Sequence, residues 1–229
     1  MQHDSAEPLN PAGPSKPAES TTAADPMAIL AHDRALCIVR APRVADAAEL
    51  AAALVGAGLR AVEFTFTIPG VLDAIAKAAQ VPGALVGAGT VLTGDQARAA
   101  IDAGARYLLT PDLRPDVAEA GNRAGVPVIL GAFTPTEVAR AADLGAAAIK
   151  IFPARLGGPN HLKDLHGPFP DLRFVATGGI SALNARSFLD AGAIAVGAGS
   201  DVVTADLVAR GEHAAIANRA AAFLRALSA

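Results

Sequence analysis

Two side chains of opposite charge stand in segments too apolar to hold them cheaply: Lys150 in AAAIKIFPA and Glu63 in AVEFTFT. A buried ammonium must find a partner or give up its proton, because desolvation penalises the charged form. An amine that has lost its proton is a nucleophile for a carbonyl carbon, and a nearby carboxylate can carry the protons that such an attack sets moving. Arg40, in LCIVRAPR, adds a guanidinium whose charge disfavours protonation of a neighbouring amine. Two blander readings compete. Lys150 can snorkel from a strand end to solvent, or Glu63 and Lys150 can form a buried ion pair that only satisfies itself.

These three residues meet only if their segments belong to one sheet. Short apolar runs rich in β-branched residues occur at 36–40, 61–67, 84–91, 107–111, 127–133, 147–153, 173–179 and 193–200. Between them lie alanine-rich stretches with charges at helical spacing, such as VADAAELAAALVGAG, TGDQARAAIDAG, TPTEVARAADLG and ALNARSFLDAG, each closed by a glycine suited to a left-handed helix end. Thr93, Thr134 and Ser181 stand at N-cap positions, and Thr134 with Glu137 spells a capping box. Strand and helix alternating eight times predict a (β/α)8 TIM barrel. A doubly wound dinucleotide fold would need G-x-G-x-x-G after the first strand, and LCIVRAPR has none.

Strand residues alternate faces, so parity sorts the barrel interior from its helix-facing side. Glu63 shares a face with Thr65, opposite Val62 and Phe64; Lys150 shares one with Phe152, opposite Ile149 and Ile151. The same count turns Arg40, Thr90 and Thr177 inward. All of them sit at carboxyl ends of strands, the rim where barrels of this type carry their active sites.

Composition narrows the function further. A chain of 229 residues suits one barrel of about 250 residues. Apolar residues make up 52%, but no stretch approaches about 18 uninterrupted bulky apolar residues, so no membrane span is expected. A net charge of -3 without a Lys/Arg-rich block offers no footprint for nucleic acid or an anionic membrane. The single cysteine, Cys37, reads as a packed thiol, which fits a reducing cytoplasm. Residues 1–26, rich in Pro, Ala, Ser and Thr with no apolar h-region, read as a disordered tail ahead of one barrel domain over 27–229.

The segments VEFTFT, GAGTVLT, LLTPDL, FTPTEVARAADLGAAAIKIFPA, VATGGIS and VGAGS, in this order, resemble the 2-keto-3-deoxy-6-phosphogluconate (KDPG) and 4-hydroxy-2-oxoglutarate (KHG) aldolases over about 36–203. The resemblance places that family's Schiff-base lysine on Lys150 and its proton-transfer glutamate on Glu63, the pair that parity selects. It implies class I aldol cleavage of a phosphorylated 2-keto acid, most readily KDPG, without a metal or other cofactor. It also implies a homotrimer. On that chemistry Arg40 and Thr90 are candidate donors to the pyruvyl carboxylate, while Thr177 lines the same cavity and Phe152 packs beside the imine. Gly178, Gly179, Gly199 and Ser200 are candidates for binding the phosphate through backbone N–H groups, although glycines there also suit tight turns. Arg40 alternatively reads as a surface residue following its strand.

Departures from the family pattern bear on substrate choice. Thr67 stands where many gluconate-type members carry an arginine, so Arg40 is expected to substitute. Ala176 replaces the proline of PTGG, Leu130 a proline before Gly131, and Asp201 a tryptophan after the serine. The Ser-Asp pair, KIFP and TPD are closer to 2-keto-3-deoxy-6-phosphogalactonate aldolases, and Thr177 to the gluconate type. Elsewhere, His161 and His166 read as solvated, and Asp112, at the end of the fourth strand, reads as the cap of the following helix or else as a substrate contact. A phosphate-binding barrel isomerase or decarboxylase, and a barrel without catalysis, remain the competing functions. Neither needs an inward lysine paired with Glu63.

Overall fold

The structure, a computed structural model, describes residues 25–228. The strands are β1 (Ala35–Val39), β2 (Ala61–Thr65), β3 (Leu85–Gly89), β4 (Leu108–Leu109), β5 (Val128–Ala132), β6 (Ala148–Ile151), β7 (Phe174–Thr177) and β8 (Ala193–Ala198). They pair in parallel in sequence order, and β1 closes on β8, giving the (β/α)8 barrel read from the sequence. The helices are α1 (Pro26–Asp33), α2 (Ala47–Gly56), α3 (Val71–Ala78), α4 (Gly94–Asp102), α5 (Pro115–Ala124), α6 (Pro135–Asp143), α7 (Ala154–His166), α8 (Ala185–Asp190), α9 (Ala205–Arg210) and α10 (His213–Ser228).

Strand alternation divides the apolar residues into two cores. Cys37, Val62, Phe64, Ile149 and Ile151 face the helices, whereas Leu36, Ala61, Leu85, Tyr107, Ile129, Ala148, Val175 and Ala195 fill the barrel interior. The interior cluster continues into Met27 and Leu30 of α1, which close the amino-terminal end of the barrel. Asp25 caps α1 by accepting the Met27 N–H at 2.9 Å, and Pro26 stands in its first turn. Arg60, just before β2, grips Asp33 with two hydrogen bonds of 2.8 and 2.6 Å, fixing the end of the helix to the barrel wall. The tail expected over 1–26 lies outside the described residues up to position 24, and its last residue, Pro26, is the first of α1.

The local expectations meet different outcomes. Thr93 caps α4, and Thr134 with Glu137 forms the capping box on α6. Ser181 does not cap a helix: its N–H donates to Asn184 Oδ1 and its carbonyl accepts from Asn184 and Ala185, making a turn from which α8 starts at Ala185. Asp112 does not cap α5 either, because Arg114 draws its carboxylate into two hydrogen bonds of 2.7 and 2.9 Å. Strand β4 is shorter than its apolar run. Pro111 has no N–H to give, and Thr110 Oγ1 takes the Gly131 N–H at 3.0 Å where the ladder would otherwise continue. His161 and His166 are half-buried, each with one ring face or edge packed: His161 stacks on Phe133 at 4.5 Å and His166 meets the edge of Phe174 at 4.7 Å.

Candidate active site

A cavity of about 330 Å³ opens at the carboxyl ends of the strands. Lys150 lies on its wall, only 5% exposed, on the interior face of β6 between Gly131 of β5 and Val175 of β7. Its Nζ stands 5.3 Å from the centroid of the Phe152 ring, within cation–π reach, and Phe152 lines the same cavity. A lysine snorkelling to solvent would be far more exposed.

Glu63 lies deeper, fully buried, and is not part of the cavity wall. Among the described residues, neither of its carboxylate oxygens has a hydrogen-bond partner. It therefore does not form the self-satisfied ion pair with Lys150 that competed as a reading. Burial pushes its pKa above the ordinary 4.5, with the charges of Lys150 and then Arg40 pulling the other way. The carboxylate occupies space left by Gly89 on the neighbouring strand: a Cβ there would fall 1.6 Å from Glu63 Oε1. Thr65, one interior step above, is tied down instead, donating to Val39 O at 3.1 Å and sharing a hydrogen bond of 2.8 Å with Thr67.

Arg40 is exposed, one residue beyond β1, yet it lines the cavity, so the surface and site readings describe the same side chain. Thr177 is fully buried, lines the cavity, and its hydroxyl has no partner among the described residues. Gly197 makes room for it, since a Cβ at that position would meet Thr177 Cγ2 at 2.7 Å. Thr90 departs from the expected count. The interior positions of β3 are Leu85, Gly87 and Gly89; Thr90 follows the strand with φ 54, where alternation no longer applies, and does not line the cavity.

Gly178, Gly179, Gly199 and Ser200 all line the outer part of the cavity. Gly178 and Gly179 have φ of +87 and +83, a region that favours glycine, and their lack of a Cβ lets Phe152 and Arg155 approach the backbone closely. Two arginines support this end without any sequence signature. Arg219 of α10 donates to the carbonyls of Ser200, Asp201 and Val202 at 2.8 to 3.2 Å, holding the loop after β8 from behind. The stem of Arg155, at the start of α7, lies against Gly179, and its N–H donates to Gly178 O at 3.0 Å. Asp201 accepts the Ala182 N–H at 2.9 Å and so ties the loop after β8 to the loop after β7.

Residues 27–219 match the family described as KDPG and KHG aldolase. The 2-dehydro-3-deoxy-phosphogluconate aldolase of Pseudoalteromonas atlantica is 37% identical over 74% of this chain and 80% of its own. The KHG/KDPG aldolase of Escherichia coli K12 is 36% identical over 77% and 84%. Among solved structures, KDPG aldolase from Legionella pneumophila, with pyruvate captured as a covalent carbinolamine, superposes with a TM-score of 0.80 at 30% identity, covering 87% of this chain and 98% of that one.

Proposed function

We propose, because the chain belongs to the KDPG and KHG aldolase family, that it is a class I aldolase cleaving 2-dehydro-3-deoxy-6-phosphogluconate to pyruvate and glyceraldehyde 3-phosphate. The carbinolamine in the Legionella relative supports covalent chemistry through an amine. The observation that carries the reading for this chain is Lys150, an almost fully buried amine on a cavity wall, with an unpartnered buried carboxylate at Glu63.

Neutral Lys150 Nζ adds to the C2 ketone, and the resulting carbinolamine loses water to give an iminium. Glu63, acting through a water molecule, supplies and recovers the protons of that step. It then takes the C4 hydroxyl proton as the C3–C4 electron pair moves into the iminium and glyceraldehyde 3-phosphate departs. Protonation of the enamine at C3 and hydrolysis return pyruvate and free Lys150. A carboxyl group whose pKa lies above its ordinary value is better matched to both roles near neutral pH than an exposed glutamate.

Arg40 is the cation available to the pyruvyl carboxylate, with Thr177 beside it and Phe152 packing on the imine. Thr90 is the weaker candidate of the set, given its place outside the cavity wall. The phosphate goes to the backbone of Gly178, Gly179, Gly199 and Ser200, and the exposed Arg155 is near enough to supply charge at that end. The homotrimer rests on the family resemblance, and the cytoplasmic location on the single buried thiol of Cys37. Leu156 and Leu183, 68% and 98% exposed, supply apolar surface of the kind a subunit contact covers.

Incubation with pyruvate and borohydride followed by peptide mapping tests the chemistry. A reduced pyruvyl group on Lys150 is expected; its absence there overturns the reading. Turnover of gluconate-type, galactonate-type and 4-hydroxy-2-oxoglutarate substrates then ranks specificity, with the gluconate type expected first.

A further inference from the structure

Strand β3 presents glycine at both interior positions above Leu85, and each gap is filled from a neighbouring strand by an oxygen-bearing side chain. A Cβ at Gly87 would fall 2.4 Å from Cζ of Tyr107, and one at Gly89 would fall 2.3 Å from Cδ of Glu63. Two residues along a strand span about 6.6 Å, so the phenol and the carboxylate occupy successive steps of one interior column. Both side chains are fully buried. Tyr107 Oη and both oxygens of Glu63 lack a hydrogen-bond partner among the described residues.

Three orphaned oxygens at adjacent steps are unusual, because buried polar groups are normally paired. Tyr107 otherwise packs among Leu85, Leu109 and Ile129, surroundings that a phenylalanine would suit without burying a hydroxyl. No direct hydrogen bond joins the phenol to the carboxylate, and a water enclosed between them would satisfy oxygens on both sides.

We propose that Tyr107 is a positioning residue for Glu63, its hydroxyl donating to an enclosed water that in turn donates to the carboxylate and fixes its orientation for proton transfer. The role rests on reading Glu63 as the proton carrier. The groups that act electrostatically on this pair are Lys150 and Arg40 toward the cavity and the thiol of Cys37 on the outer face of β1. Burial raises the Tyr107 pKa well above 10.0, so the phenol keeps its proton to donate.

Tyr107 is the only tyrosine in the chain, so 3-fluorotyrosine labels this position alone. The 19F resonance of the labelled protein is expected to shift with pH as Glu63 titrates, and the step is expected to vanish in Glu63→Gln. A resonance that is flat with pH, or whose step survives Glu63→Gln, overturns the proposal. Tyr107→Phe gives the second arm. Removing a donor to the carboxylate should raise the pH at which Glu63 loses its proton, moving the acidic limb of kcat up by about half a unit, or threefold in proton concentration, with KM unchanged. A superimposable profile counts against the role. Because the 19F titration does not depend on turnover, its failure and the failure of the aldolase reading are separable: an adduct on Lys150 with a flat resonance sinks only the role of Tyr107.

Discussion

Replacing Gly89 with alanine should disable the site without altering any group that touches substrate. The backbone at Gly89 is ordinary strand, so alanine is conformationally acceptable there, and the added methyl is the whole perturbation. It would stand 1.6 Å from Glu63 Oε1, 2.3 Å from Cδ and 2.5 Å from Cγ. Contact distances for such atoms are about 3.5 Å, so the carboxylate must move by well over an ångström. A misplacement of about 1 Å can cost roughly 100-fold in rate, and complete loss of general acid–base help roughly 100- to 10,000-fold. At about 1.4 kcal/mol per decade these limits correspond to about 2.7 to 5.4 kcal/mol of barrier. Overpacking of the interior is expected to cost about 1–3 kcal/mol of stability, leaving a folded barrel with a lowered Tm. Steady-state kcat for retro-aldol cleavage, circular dichroism and pyruvate trapping on Lys150 together make the assay: turnover falls at least 100-fold while the fold persists and slow trapping remains. A Gly89→Ala protein with wild-type kcat would refute the placement of Glu63 as the proton carrier.

Further outcomes follow from the same geometry. The folded-state pKa of Glu63 lies above the ordinary 4.5, so between those values the folded chain holds a proton that the unfolded chain has released. Its contribution to stability falls as pH rises through that window, and Glu63→Gln should gain on wild type there and then level off in urea titrations; a pH-independent gap would contradict this. Gly179→Ala imposes φ +83 on an L-residue and drives a Cβ to 2.6 Å from the Arg155 stem, so a Tm lower by about 2–8 °C and a raised KM for phosphorylated substrate are expected, with a normal KM pointing to a role in turn geometry only. Arg219→Ala removes the guanidinium that holds the carbonyls of Ser200, Asp201 and Val202, and should raise KM for phosphorylated substrate several-fold while leaving pyruvate trapping on Lys150 intact. Loss of pyruvate trapping together with substrate affinity would instead mean a general collapse of the barrel rim.

Much of this was legible before the structure because period-two alternation is a local signal. Seven of the eight runs contain their strand and β1 starts one residue ahead of the first run, while Lys150 and Glu63 fall on the interior face as parity requires. Thr90 shows where that signal stops: the chain leaves the sheet at Gly89, and a left-handed residue breaks the count. Ser181 and Asp112 have the right types for caps at plausible positions, but Asn184 and Arg114 outcompete the roles assigned to them. Arg219 was invisible because its partners lie about one strand-to-helix crossing away and are carbonyls, which every residue possesses. The tie from Asp201 to Ala182 bridges two strand ends and is likewise a product of folding rather than of spacing. Tyr107 looked like core because it is core, and only its orphaned hydroxyl marks it out.

The helix that packs against the amino-terminal end turns the barrel into a cup, since Met27 and Leu30 are buried on the interior cluster there. On the proposed chemistry the three-carbon acid is tethered at depth while the aldehyde fragment sits nearer the rim, so departure is sequential: glyceraldehyde phosphate must clear the opening before pyruvate can be hydrolysed off and escape. Product inhibition should carry that signature, with pyruvate competing directly against incoming sugar acid and the triose phosphate acting on the enzyme that still holds pyruvate as the Lys150 enamine.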